Sequence, residues 1–199
     1  MDPRIKKLSE LLTGYSCRLQ PGEKVLIDYE GEETKPLVRQ LIKDAYKLGA
    51  KPYVNHRDSA VLREILLGAD EEQIAFLDEY QLYQMKGMDA YIAIRGNANV
   101  SELSDVPSEK LNMYYRLTQP TLDYRVNKTK WVILRYPNAS MAQLAGKSQE
   151  AFEDFYFDVC TLDYQKMSDA MDCLVDLMNQ TDKVRLVGPD TDLTFSIKD

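Results

Sequence analysis

Apolar, strand-like runs alternate with amphipathic helical runs along this chain, and that alternation limits the fold more than any motif does. Val25-Leu26-Ile27 lies in "PGEKVLIDYEG", directly after a turn. Lys51–Asn55, "DAYIAIRG", "KWVILRYP" and Lys183–Val187 give four further strands. Helical runs separate them. Leu37, Leu41, Ile42, Ala45 and Leu48 share one face of a helix that Thr34 is placed to cap, with Pro36 in its first turn and Gly49 at its end. Ser59–Leu67 and Asp70–Lys86 read as two helices. Pro107–Arg125 reads as one that Pro120 must kink or split. The stretch from Asn138 to Gln180 is helical, with breaks near Gly146 and Thr161. Strands joined by helices rather than tight hairpins require right-handed crossovers. The spacing therefore predicts a doubly wound α/β fold, a mainly parallel sheet with helices on both faces.

The end of the chain departs from this series. Gly188-Pro189-Asp190 reads as a turn, after which Leu193, Phe195 and Ile197 alternate with Thr194, Ser196 and Lys198. That is the period-2 pattern of a half-buried strand. The turn is too short for a crossover, so this strand should pair antiparallel or lead away from the sheet. The expected organisation is an α/β domain over 1–188 followed by an extra strand over 189–199.

The 199 residues suit one core, and 44% hydrophobic with 29% charged residues is ordinary for a globular chain. A net charge of -7 disfavours phosphate backbones and excludes nucleic acid as an expected partner. No run approaches the roughly 20 apolar residues of a membrane helix. "MDPRIKKLSELLTGYS" reads as an amphipathic helix, with Leu8, Leu11 and Leu12 at helical spacing, and lacks the apolar core of a secretory leader. Cys17, Cys160 and Cys173 form no pair at metal or redox spacing, so three reduced thiols and a cytoplasmic location are expected.

Ligands of doubly wound sheets sit at the strand carboxyl ends, here the loops after Tyr29, Asn55, Arg95, Tyr136 and Gly188. None holds a phosphate-binding glycine motif, and the glutamates of "YEGEETKP" would repel a phosphate. His56 is the only histidine; its "HRD" lacks the asparagine of a kinase loop, since position 63 is Arg. One histidine leaves a zinc site short of ligands. Glu150, Asp154 and Asp158 share a helix face and could suit a hard cation. The plainer reading makes Phe152, Phe155, Tyr156 and Val159 the buried face and the acids its solvated back. Asp190 and Asp192 flank a turn, where Asp is common for backbone reasons. Cys160 and Cys173 lie on apolar helical faces rather than in electropositive openings.

In their order, "LSELLTGYSCRLQPGEKVLIDYE", "LVRQLIKDAYKLGAKPYV", "DAYIAIRGNANVSEL" and "WVILRYPNASMAQLAGKSQEAFEDFYFDVCTLDY" resemble the amino-terminal half of the M29 metalloaminopeptidases. "VRLVGPDTDLTFSIKD" continues the resemblance; Tyr136–Gly146 and Thr191–Leu193 are its most specific parts. The resemblance implies an aminopeptidase that removes amino-terminal residues from peptides. In that family two divalent metals, zinc or cobalt, are held by glutamates, histidines and an aspartate downstream of the Thr-Asp-Leu strand. It therefore implies no catalytic, cofactor or metal-binding residue within these 199 residues. Asp190, Thr191 and Asp192 become domain-junction residues leading to a carboxyl-terminal catalytic domain. This stretch alone would be inactive, and the complete enzyme a homodimer in the cytoplasm. The rival reading is a stand-alone, non-catalytic α/β module with a ligand near "RGNANVSEL", where a helix amino terminus could hold an anion.

Overall fold

A computed structural model gives the architecture, and residues 2–198 are described. The sheet is centred on β1 (Lys24–Glu30) and β3 (Ala90–Arg95), flanked by β2 (Lys51–Arg57) and β4 (Lys130–Arg135), in the order β2-β1-β3-β4. Every neighbouring pair is parallel, with Lys24 opposite Lys51 and Val25 opposite Ala90. The two inner strands read as apolar runs because both of their faces are covered.

Alternation along the strands assigns two cores. Val25, Ile27, Ala90, Ile92 and Ile94 pack with Ile5, Leu8, Leu37, Leu41, Tyr156 and Phe157. These come from α1 (Pro3–Glu10), α2 (Lys35–Lys47) and α8 (Gln149–Cys160). On the opposite face Leu26, Tyr91 and Ala93 pack with Met85 of α4 (Glu71–Lys86) and Tyr124 of α6 (Gln119–Lys128). A third cluster, centred on Leu66, Ile74 and Val106, joins α3 (Ser59–Gly68) to α4 and α5 (Ser108–Leu117). A short α7 (Ala139–Leu144) precedes α8. The α/β architecture is thus the doubly wound, mainly parallel one expected, with helices on both faces.

Local signals account for most boundaries. Asp58, Asp70, Asn138 and Ser148 each cap a helix by accepting a backbone N–H. Pro120 splits the 107–125 stretch: it occupies the first turn of α6, where its missing N–H costs nothing. Thr34 differs from expectation. It makes no side-chain cap, because its own backbone is already helical at φ -78° and ψ -18°, and its Oγ1 donates to the carbonyl of Gly31 at 2.6 Å.

The chain divides into two compact units, Met1–Thr161 and Leu162–Asp199. The second consists of α9 (Tyr164–Gln180), β5 (Lys183–Gly188) and β6 (Thr191–Ser196). The expectation of a fifth parallel strand at Lys183–Val187 is overturned here. β5 pairs antiparallel with β6, Gly188 opposite Thr191 and Lys183 opposite Ser196. Pro189 and Asp190, the latter at φ 54°, close the hairpin. Closing a two-residue loop costs far less chain entropy than a crossover, so local pairing wins. The antiparallel pairing expected of the terminal strand is what forms.

Candidate functional site

The carboxyl ends of β1, β2 and β3 carry the polar groups that the helices leave uncovered. Between β1 and β3 the strand order reverses, which in a doubly wound sheet opens a crevice. Here the crevice is pinned shut at its base. The Gly96 N–H donates to the Glu30 carbonyl at 2.9 Å, and Gly31, at φ +90°, lies against the Gly96 backbone. The loop after β3 is tied on its other side to Asn138, whose Nδ2 donates to the Asn97 carbonyl at 3.0 Å. Glu32 and Glu33 open the turn before α2, so negative charge stands where a dinucleotide phosphate would sit. The sequence-based exclusion of ordinary nucleotide binding thus has a steric and an electrostatic cause.

Beside that crevice lies a buried ion network that the sequence reading missed. Asp28 is 1% exposed at the side chain and accepts from Arg57 Nε on both oxygens at 2.8 Å. Arg95 Nη1 donates to the same carboxylate at 2.7 Å and to the Asp28 carbonyl at 3.1 Å. Arg95 Nη2 donates to the Tyr91 hydroxyl at 3.1 Å, and Arg125 stacks over the Tyr91 ring at 4.8 Å. Desolvation is the largest influence on Arg57 and Arg95 and pulls both down. Asp28 and Tyr91 outweigh it and leave both above the ordinary arginine value. A signal was present, for Asp28 interrupts an apolar strand and Arg57 and Arg95 end two others. The pairing itself needed the sheet order.

Two cavities open around Arg57. One, of about 240 Å³, lies between Glu30-Gly31-Glu32, His56–Ala60 and the loop Asn97–Asn99 with Glu102. The other, of about 390 Å³, shares Glu30 and His56–Ser59 but extends along α3 to Leu77 and Gln81 of α4 and Tyr114 of α5. Ser59 Oγ donates to Glu30, tying the start of α3 to the end of β1. The segment "RGNANVSEL" lines the smaller cavity through Asn97–Asn99 and Glu102, but the helix amino terminus expected there is absent, the next helix starting only at Ser108.

His56 is exposed, and its ring stacks on Tyr29 at 4.7 Å between centroids and 23° between planes; it lies in β2 rather than in a loop. Glu150, Asp154 and Asp158 are exposed, and Asp154 accepts from Arg4 at 2.5 Å. The buried face of α8 is Phe152, Tyr156 and Phe157; Phe155 and Val159 are 56% and 46% exposed, which corrects their expected burial. The face is set by Tyr136 and Arg4, both of which contact the Phe157 ring. Asp190 holds the left-handed turn position and Asp192 forms a two-pronged pair with Arg185, 2.7 Å at each contact. Thr191 opens β6 opposite Gly188. All three lie in the hairpin, in the second unit, and none lines either cavity.

The thiols are free. Burial pushes Cys17 up to about 12, and it raises Cys160 as well, so neither is poised as a nucleophile. Among the described residues no three His, Cys, Asp or Glu side chains converge as a metal site would require. No helix among them is long and apolar enough to cross a membrane.

Solved structures similar to this chain include wild-type AmpT from Thermus thermophilus, with a TM-score of 0.76 and 23% identity over 98% of this chain and 53% of that one. That likeness shows the fold, and the chain spans about half the length of AmpT. A fatty acid ABC transporter substrate-binding protein from Thermomonospora curvata overlaps far less, with a TM-score of 0.35 and 15% identity over 74% and 31% of the two chains. An overlap so partial carries no inference. No curated protein matches. A sequence model of the thermophilic metalloprotease (M29) family, by contrast, matches residues 1–199 from end to end. The chain belongs to the thermophilic metalloprotease (M29) family.

Proposed function

We propose that this chain is the amino-terminal, non-metal-binding half of a metal-dependent aminopeptidase that removes amino-terminal residues from peptides. The observation that carries the reading is the family match across all 199 residues. A metalloprotease family implies divalent metal ions, and the donors among the described residues do not fit one. His56 is stacked on Tyr29, Asp28 is neutralised by two guanidiniums, and Cys17 is a buried thiol. No catalytic step is therefore routed through a metal in this chain. Zinc or cobalt, two ions per active site, would be held by residues outside it, in a carboxyl-terminal catalytic domain that Asp190, Thr191 and Asp192 lead towards. On this reading the α/β unit walls the substrate cleft, and the complete enzyme is a cytoplasmic homodimer acting on peptides.

The experiment compares two proteins: the 199-residue chain, and the longest reading frame that carries it. Each is assayed for release of amino-terminal residues with zinc, with cobalt and with chelator. The long protein should show metal-dependent release and the 199-residue chain none. Chelator-sensitive release by the 199 residues alone overturns the division of labour, and no release by either overturns the aminopeptidase reading. A second reading, a stand-alone ligand-binding module, is favoured by the two cavities around Arg57, which are built wholly within the first unit.

A further inference from the structure

The larger cavity beside Arg57 joins three chemistries that seldom meet by accident. Its volume of about 390 Å³ lies at the small end of the roughly 300–1,000 Å³ that ligand cavities span, which suits a small molecule rather than a folded partner. One wall is apolar: Leu62 and Ile65 of α3, Leu77 of α4 and Tyr114 of α5. Leu62, Ile65 and Tyr114 are anchored in the third core cluster, so that wall is preformed. The other end is ionic. Arg57 is fixed through Nε by Asp28, and among the described residues neither of its terminal nitrogens donates to any acceptor. Glu30 accepts from Ser59 on one carboxylate oxygen only, and Asp58 caps α3 with one oxygen only, leaving the second oxygen of each free.

These charges discriminate among ligands. A simple carboxylate would find Arg57 but also face Glu30 and Asp58. A simple amine would find those carboxylates but also face Arg57. A molecule carrying both charges on one carbon satisfies both ends, and the apolar wall then takes its side chain. We infer that this cavity binds a free α-amino acid with an apolar side chain, its carboxylate on Arg57 and its ammonium towards Glu30 and Asp58. Charge-assisted hydrogen bonds of this kind are the strong ones, so losing either end should weaken binding roughly tenfold or more. The inference rests on the cavity and is independent of the peptidase reading.

The test is a titration of the isotope-labelled chain, followed by backbone amide NMR shifts. L-Leucine is the probe, beside N-acetyl-L-leucine, which lacks the ammonium, and L-leucinamide, which lacks the carboxylate. Leucine should move amides of α3 and of the β2 end, and each analogue should bind roughly tenfold or more weakly. Val61 lines the same cavity and is 58% exposed, so Val61→Asp should leave the fold intact while setting a carboxylate against the ligand. It should cut leucine affinity by a similar factor. Saturating leucine without any shift overturns the inference. Equal binding of either analogue overturns the requirement for both charges. Unchanged leucine binding by folded Val61→Asp places the ligand elsewhere and overturns the site.

Discussion

Gly31 and Gly96 lie backbone against backbone: a Cβ on Gly31 would overlap the Gly96 carbonyl, 2.7 Å from its carbon. Gly31 also stands at φ +90°, which side chains rarely adopt. Gly31→Ala therefore meets two penalties, strained backbone and overlap with backbone that cannot step aside. A loss of about 2–4 kcal/mol is expected in urea unfolding. Gly14, where a Cβ would meet nothing within 4 Å, is the control, and Gly14→Ala should cost little. Equal, small effects at both would mean that the β1 and β3 loops are not locked.

Asp28 holds two arginines, and the loss of each partner should differ in size. Asp28→Ala would leave the Arg57 and Arg95 guanidiniums half-buried without their anion, costing about 3–5 kcal/mol. Arg57→Met should cost less, because Arg95 still neutralises Asp28 and the methionine restores apolar packing. Chemical unfolding of the two variants checks the order; a reversed order would show that Arg57, not Asp28, centres the network.

Asp44 gives a pH signature. It is 4% exposed and accepts from Ser9 and Gln40, each at 2.8 Å, and from Lys47 at 2.7 Å. Desolvation, the largest influence, raises its pKa, but the bonds from Lys47, Gln40 and Ser9 outweigh it and hold the carboxyl below its ordinary value. With the folded value depressed, the unfolded chain binds the extra proton. The contribution is thus whole above the unfolded pKa of about 3.9 and fades as pH falls through the lower folded value. Asp44→Ala should cost about 2–3 kcal/mol at pH 7. Unfolding curves of wild type and variant should converge below about pH 4, and a constant gap down to pH 2 would refute this account.

Period and punctuation made the α/β core legible: the apolar runs of β1 and β3, Gly49 after α2, and Pro120 all act locally. Three things were not legible. The network of Asp28, Arg57 and Arg95 forms only when β1 lies between β2 and β3. Thr34 makes no cap because its own backbone is already helical, at φ -78° and ψ -18°. β5 has the composition of a buried parallel strand, yet its neighbour across a two-residue turn claims its pairing edge. The cavity beside Arg57 was hidden because its wall comes from three helices separated in sequence.

The face of α8 tests which pattern rules. Helical spacing alone puts Phe155 and Val159 inside with Phe152 and Tyr156 and leaves Phe157 out. The structure places Phe157 at 3% exposure, edge-on to Tyr136 and Tyr156, with Arg4 stacked 4.8 Å from its centroid. Phe155, at 56% exposure, is tilted against Phe152 only at 6.4 Å. Phe157→Ala should therefore open a cavity in the main core and cost about 3–5 kcal/mol. It should also release Arg4 from its ring. Phe155→Ala removes area already half in water and should stay within about 1 kcal/mol. The two variants differ by one aromatic ring each, so composition cannot explain a gap between them. Thermal unfolding decides the matter: a Phe155→Ala loss as large as that of Phe157→Ala would return the helix to the face its sequence spacing suggested.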